Sequence, residues 1–254
     1  MFKFFKKDPK LEFVSIIPSV TQIMPIEPSK SVSRSWLRKV VRDFKQQLKN
    51  NPSPRHCITN ISRCPGISKI MKNGWIQKTW TDITIQTNGD GVGFNWTSSI
   101  DQQDLALNHN INMPYVSFHP HNMYGDYNPS KNSLKSIVKI FSPWIVYIPK
   151  GYYLLSMPIP YPDMHEFTAA IGLLDCDDGP NFLNVQLFWH ELNSEVFIPA
   201  GTPLAQYVLV KKENIDYNIR EYNDNDIYNL RLKSNSKDNK FIPNYKNWKG
   251  LKWR

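Results

Sequence analysis

Cysteine is scarce in this sequence and shows no spacing typical of a metal site. The three cysteines, Cys57, Cys64 and Cys176, are an odd number, and the interval between the first two matches no zinc knuckle. We therefore predict free thiols and a reduced, intracellular protein. This count and spacing do not fit a secreted domain built on a disulfide framework.

Long apolar runs are also missing. No segment approaches the roughly 18 consecutive apolar residues of a membrane-spanning helix. The first seven residues, Met1 to Lys7, interleave lysines with aromatics where a secretory signal would have an apolar core. We expect no membrane span and no secretion, and we interpret the N-terminus as a basic arm.

Glycine-rich phosphate loops and metal-ligand clusters are lacking too. The glycines of Asn88-Gly89-Asp90-Gly91 lie between two predicted strands, whereas a phosphate-binding P-loop joins a strand to a helix. His119 and His121 have the spacing of two residues on one strand face, but Pro120 between them disfavours a paired strand. We predict no metal site and no cofactor.

Positive charge is concentrated at the two ends of the chain. Residues 1–50 hold eleven Lys and Arg against four Asp and Glu, residues 211–254 hold eleven against six, and the middle holds nine against twelve. Basic ends on a near-neutral body are typical of segments that contact nucleic acid or another acidic surface, although a lysine-rich composition alone also explains them.

The pattern of the middle predicts a mainly β fold. Trp144–Tyr147 and Tyr152–Met157 flank Ile148-Pro149-Lys150-Gly151, and a second Ile-Pro-x-Gly turn at 198–201 precedes a strand at 204–210. These turns match a type I signature. Phe167 to Leu174 is a β-favouring run, and Leu183 to Trp189 alternates apolar and other residues. We predict an antiparallel barrel or sandwich, of the β-clip or jelly-roll kind.

One amphipathic helix is predicted near the N-terminus. The sequence from Ser33 to Lys49 repeats apolar residues at helical spacing, and its cations lie off that stripe. The stripe consists of Trp36, Leu37, Val40, Val41, Phe44 and Leu48. The cations are Arg38, Lys39, Arg42, Lys45 and Lys49. Packing against the protein's own sheet is favoured over contact with a membrane or a partner.

Four segments follow from these patterns. We predict a basic extended arm at 1–32, the amphipathic helix at 33–50, a β-rich domain at 51–210 and a basic, aromatic tail at 211–254. The tail has apolar residues enough for one short helix before its last part, Phe241 to Arg254. That last part favours stacking on bases or wrapping over a neighbouring subunit.

The acidic turn after Leu174 is the candidate ligand site. Asp175, Asp177 and Asp178 lie within four residues, and Gln206 follows on a later strand. Adjacent carboxylates suit a divalent cation or a general base, although an Asp-Asp-Gly-Pro sequence is also an ordinary turn. These four residues are predicted to bind a ligand, and no residue is assigned a catalytic role.

Two family resemblances bear on this site. Gly172-Leu173-Leu174-Asp175, followed by Ile198-Pro199-Ala200-Gly201 and Ala205-Gln206, resembles part of the dUTPase and dCTP deaminase β-barrels over about residues 171–210. The resemblance implies that Asp175 lies near a sugar hydroxyl and Gln206 near the base or phosphates. The Arg-Ser-Gly phosphate motif and the Gly-rich tail of those enzymes have no counterpart here.

A second resemblance spans about residues 57–210. Its segments include Cys64-Pro65, Gly74-Trp75, Phe141 to Tyr152 and Met157-Pro158-Ile159-Pro160. They are similar to an uncharacterised family of β-rich bacteriophage and bacterial proteins. The resemblance implies a phage-type protein in the host cytoplasm or the virion.

Two function classes follow from these observations. The first is a non-enzymatic structural or partner-binding protein that assembles through its β domain, by self-association or with a viral protein, and whose basic termini reach nucleic acid or an acidic surface. The alternative is a nucleotide-binding or nucleotide-hydrolysing protein.

Overall fold

The computed structural model describes residues 10–50, 60–112, 114–123, 125, 127 and 132–241. The chain falls into two compact units. The first comprises the described residues up to Ser33 together with Ile70–Glu213, and the second comprises those of Arg34–Lys69 and from Asn214 onward. Cys57, Met1 to Lys7 and residues 242–254 of the predicted tail lie outside the described residues.

The first unit consists mainly of strands. In chain order they are β1 (Glu12–Ser15), β2 (Glu27–Pro28), β3 (Trp75–Lys78), β4 (Ile83–Thr87), β5 (Phe94–Ser98), β6 (Val116–His119), β7 (Ile137–Ile140), β8 (Trp144–Tyr147), β9 (Tyr152–Met157), β10 (Phe167–Ala169), β11 (Gly172–Leu174), β12 (Asn181–Phe182), β13 (Val185–Trp189), β14 (Glu195–Ile198) and β15 (Pro203–Lys211).

Helices occur in both units. They are α1 (Val20–Ile23), α2 (Ser35–Asn50), α3 (Pro65–Ile70), α4 (Gln102–His109) and α5 (Asp224–Phe241), with short 3-10 turns at Ser29–Ser31, Ile61–Arg63 and His121–Met123. The predicted amphipathic helix is α2. Among the described helices, none is long and apolar enough to cross a membrane.

The strands form four antiparallel sheets. Their orders are β1-β8-β12, β10-β13-β7-β6, β11-β9-β15-β3-β2 and β14-β4-β5. The mainly β, antiparallel prediction is confirmed. The barrel alternative is wrong for the described residues, because each sheet ends in edge strands and does not close on itself.

The N-terminal segment adds strands to two of these sheets. β1 pairs with β8, from Glu12 opposite Tyr147 to Ser15 opposite Trp144. β2 pairs with β3 through Glu27 and Pro28. The described part of the predicted basic arm therefore supplies edge strands to the first unit.

Both Ile-Pro-x-Gly turns form, but their type differs from the predicted one. The N–H of Thr202 donates to the carbonyl of Pro199 at 3.1 Å, and Tyr152 donates to Pro149 at 3.2 Å. Proline is thus the first turn residue and glycine the third. The glycines at 151 and 201 have φ of 81° and 87°. A positive φ at the third position is the feature of a type II turn.

The core of the first unit explains the alternation on β13. Leu183, Val185, Leu187 and Trp189 are all buried, and the Trp189 ring stacks on Phe167 with centroids 6.1 Å apart. Ile83 and Ile85 of β4 belong to the same buried cluster. Burial of such side chains contributes roughly 1.5–3 kcal/mol each, so this cluster is the main stabilising feature of the unit.

Candidate functional site

The acidic turn is closed by a lysine. The Lys212 ammonium lies 2.7 Å from both carboxylate oxygens of Asp175 and 2.7 Å from Asp177 Oδ2. It also lies 4.6 Å from the centre of the Tyr153 ring. The hydrogen bond from Lys212 holds the pKa of Asp175 below its usual range, and the two carboxylates raise the pKa of Lys212.

This contact changes the chemistry expected of the aspartates. Lys212 offsets one of the two negative charges of Asp175 and Asp177, so a divalent ion would have to compete with its ammonium group for the same oxygens. A carboxyl with a lowered pKa is also a weaker base. Asp178 is exposed. Among the described residues, no group of three or more His, Cys, Asp and Glu side chains is placed to hold a metal ion.

Gln206 lies in a different environment. Its side chain is fully buried, and Nε2 donates to the carbonyls of Ile70 at 2.8 Å and Asn73 at 2.7 Å. The Ser29 hydroxyl donates to its Oε1 at 3.1 Å. The amide therefore joins β15 to the turn before β3 and to the N-terminal segment.

The structure does not bring the four predicted site residues together. Asp175 and Asp177 both contact Lys212, and Asp178 is exposed at the same turn. The side chain of Gln206 forms hydrogen bonds with Ser29, Ile70 and Asn73 instead. Their role in ligand binding stays a prediction. The geometry supports a structural role for both: Asp175 and Asp177 hold their turn against Lys212, and Gln206 connects separate segments inside the protein, which is the role called bracing below.

A cleft beside β11 is the better-formed candidate site. It has a volume of about 270 Å³ and lies in the first unit. Its wall includes the residues from Ala170 to Leu174 and the polar residues Lys139, Ser156, Asn184 and Gln186. The volume is close to the lower end of small-molecule sites, which is about 300 Å³.

Strand register explains how these groups come together. Gln186 of β13 pairs with Lys139 of β7, which places both side chains on one face of their sheet. Gly172 of β11 pairs with Ser156 of β9. The short link through Ala170, whose N–H donates to the Gln186 carbonyl at 2.8 Å, carries the chain from one sheet to the other.

Lys139 is the charged group of this cleft. Its side chain is half-buried, and it forms no ion pair with a described carboxylate. A partly desolvated cation without a matching anion costs free energy. The position therefore favours a negatively charged ligand group.

Gly172 leaves room at the cleft. Its φ is not in the left-handed region, and a Cβ built on it meets no heavy atom within 4 Å. Neither backbone conformation nor packing within the chain therefore requires glycine there. Glycine in a strand often marks the close approach of a ligand or of another backbone.

Apolar side chains flank the same strand on the outside. Ile171 is 73% exposed, Leu173 is 59% exposed and Phe182 is 43% exposed. β11 has β9 on one side only, so its other edge has no described partner strand. An edge of this kind is a template for pairing with another chain.

His190 lies between two hydroxyl groups. The Ser133 hydroxyl lies 2.8 Å from His190 Nδ1, and the Thr168 hydroxyl lies 2.7 Å from Nε2. Partial burial lowers the pKa of His190. A hydrolytic triad needs a carboxylate on the second ring nitrogen, and both nitrogens here contact hydroxyls. The arrangement ties the segment at Ser133 to β10 and β13.

Sequence reasoning missed the cleft and found only its rim. Gly172, Leu173 and Leu174 were noted as the lead-in to Asp175, whereas Lys139 and Gln186 had no motif to mark them. The available signal was weak: a lysine inside the apolar run Ile137 to Ile140, at a position where a strand would otherwise be apolar.

Comparison with known proteins adds no relative. No protein-family model matches the chain, and no curated protein matches it. The resemblances to the phage family and to the dUTPase barrel therefore stay predictions.

Proposed function

We propose that the protein is a non-enzymatic, phage-type structural protein that assembles with a second copy of itself through its β domain. The observation that carries this proposal is the open edge of β11 with its exposed apolar side chains. We also propose that the sheets of the first unit pack as a sandwich, because one buried cluster draws residues from all four of them.

A second copy suits this edge for a geometric reason. Most soluble homo-oligomers have two-fold symmetry, and a two-fold axis places the same surface of each copy against the other. An antiparallel pairing of β11 with β11 satisfies that symmetry and fills the hydrogen-bonding groups of both edges. Leu173, the middle residue of the strand, then lies close to the axis, where Ile171 and Phe182 of both copies add apolar contact.

Replacing Leu173 by lysine tests this function. Two lysines close to a two-fold axis repel each other, and charge on an edge strand opposes pairing. We expect a discrete dimer for the natural protein and at least about a tenfold weaker association for Leu173→Lys, which corresponds to about 1.4 kcal/mol. Mass in solution, measured by light scattering over a range of concentrations, checks the result.

Phe197→Lys is the matched control. Phe197 is 58% exposed on β14, an edge strand of a different sheet, against 59% for Leu173 on β11. The control should associate as the natural protein does. A natural protein that stays monomeric at every concentration, or equal loss in both variants, contradicts assembly through β11.

Nucleotide binding is the second candidate function. Lys139 favours it, because this cation of the cleft forms no ion pair with a carboxylate in the described part of the chain. A ligand that binds the folded state adds about 2.7 kcal/mol to the free energy of unfolding when its concentration is 100 times Kd. The midpoint of thermal unfolding therefore rises. This function predicts that dUTP or dCTP with magnesium raises the midpoint of the natural protein, and that Lys139→Met abolishes the rise.

Lys135→Met is the control for that measurement, since Lys135 is an exposed lysine four residues earlier. It should keep the response. Loss of the response in Asp175→Ala together with its retention in Lys139→Met would move the ligand from the cleft to the acidic turn. The absence of any response would contradict nucleotide binding.

A further inference from the structure

Helix α2 carries a narrow basic face. At 100° per residue, Arg38, Arg42, Lys45 and Lys49 fall within about 60° of one another. Arg38 and Lys49 are eleven residues apart in the chain, which is about 16 Å along the axis at 1.5 Å per residue. All four side chains are exposed. Lys39, also exposed, lies about 60° or more outside this face.

These cations are largely unmatched by internal acids. Arg42 lies 3.8 Å from Asp43, and both of those side chains are exposed. Arg38, Lys45 and Lys49 form no ion pair with a described carboxylate. An exposed pair such as Arg42 and Asp43 contributes little, so the face presents a row of positive charge to solvent.

The apolar side of the same helix is turned inward. Phe44 is only 3% exposed, and Trp36 and Val40 are half-buried. A helix that lies in a membrane surface inserts a broad apolar face between lipids. Because the bulkiest apolar residues of α2 are already covered, the helix is suited to an electrostatic contact and not to insertion.

We propose that the basic face of α2 binds the phosphate backbone of nucleic acid. A nucleic-acid strand carries a continuous line of negative charge, one for each 3.4 Å of axis in a duplex strand. Four cations in a row of about 16 Å match such a line. A groove of about 830 Å³ runs along the helix, and these four cations line it together with Leu37, Val41, Gln46 and Asn50. Because phosphates are the same in every sequence, the binding is independent of base sequence.

Salt dependence gives the test. Each phosphate contact contributes about −0.7 to the slope of log K against log salt for single strands and about −0.9 for duplex DNA. We expect the full-length protein to bind a fluorescent 30-nucleotide dT strand or a 30-bp duplex at 50 mM salt. The triple variant Arg38→Gln, Arg42→Gln, Lys45→Gln should reduce the magnitude of the slope by about 2 for the single strand.

The control variant removes the same charge elsewhere. Lys30→Gln, Lys39→Gln and Lys69→Gln replace exposed lysines that lie outside the row. This triple variant should keep the slope of the natural protein. Three single replacements, Arg38→Gln, Arg42→Gln and Lys45→Gln, should each reduce the magnitude of the slope by about 0.7 for the single strand. They provide the test if the triple variant does not fold.

Several results would overturn the proposal. One is no binding to either probe at 50 mM salt. Another is equal loss in the two triple variants, which would mean that net charge alone causes the binding. A third is binding to vesicles containing 30% anionic lipid, lost in the first triple variant, without binding to either nucleic acid. Binding of nucleic acid by α2 does not require dimerisation through β11. This test therefore stays valid if the proposed assembly fails.

Discussion

Replacement of Gly74 by alanine is expected to destabilise the first unit by about 3–5 kcal/mol. Gly74 has φ of 75°, and a Cβ built on it lies 1.9 Å from the carbonyl oxygen of Tyr207. The obstacle is backbone of β15, which pairs with β3 at Trp75. Neither strand is able to move aside without breaking that pairing. The loss in the free energy of unfolding therefore combines an unfavourable φ at residue 74 with weaker pairing of β3 and β15.

Thermal unfolding of the variant measures this cost. For a domain of 150–250 residues, 1 kcal/mol corresponds to about 2–4 °C, so the midpoint should fall by about 6–20 °C. Gly172→Ala is the matched control, because its φ is ordinary and its Cβ meets open space. The control should change stability by less than about 1 kcal/mol. Equal effects at both positions would contradict the close approach of Gly74 to β15.

The parts of the fold that follow local pattern could be predicted from sequence. Leu183 to Trp189 alternates in the sequence, and its apolar positions are buried. Helix α2 repeats apolar residues at helical spacing and forms over Ser35–Asn50. In both segments the burial that tertiary structure imposes agrees with the periodicity of the chain, so local reasoning is sufficient.

Helix α4 could not be predicted from apolar periodicity, because the feature that marks it in the sequence is an N-cap residue and not a repeating row of apolar residues. The sequence from 98 to 135 is polar and typical of a loop, yet Gln102–His109 is helical. The Asp101 carboxylate accepts from the N–H of Gln103 at 2.8 Å, as an N-cap does. Leu105 is the residue of this helix that is buried. A single apolar contact leaves no periodicity to detect.

The break between β10 and β11 was also missed. Phe167 to Leu174 has the composition of one continuous strand, but the structure divides it between two sheets at Ala170 and Ile171. Nothing in the local sequence encodes that choice, since it depends on which strands, β13 and β9, are available as partners. The cleft is lined by this break and was unpredictable for the same reason.

The predicted ligand residues fail for a related cause. Sequence shows which side chains are able to bind a ligand but not which internal partners they already have. Asp175 and Asp177 meet Lys212 only because β15 ends beside their turn. Gln206 meets Ile70 and Asn73, which precede it by more than a hundred residues. Long-range pairings decide in each case whether the polar group remains available.

The second large effect is expected at Gln206. Replacing it by alanine removes a fully buried side chain and leaves the carbonyls of Ile70 and Asn73, which lie in part-buried positions, without this amide. The Ser29 hydroxyl keeps its hydrogen bond to the carbonyl of Met71 at 2.8 Å. An unsatisfied buried polar group costs about 1–3 kcal/mol. We expect a total loss of about 3–5 kcal/mol, since such losses are not fully additive. Gln86→Ala, at an exposed position of β4, should cost less than about 0.5 kcal/mol.

Gln206→Glu separates bracing from ligand binding. The shape of the side chain is kept, but a donor becomes an oxygen that faces two carbonyl oxygens, at 2.8 and 2.7 Å in the natural protein. A brace therefore predicts a loss of stability at least as large as that of the alanine variant, measured by urea unfolding without any ligand. A ligand residue predicts the opposite pattern, in which the free protein keeps its stability and only a nucleotide response is lost. Because Gln206 has no exposed surface, the first pattern is the expected one.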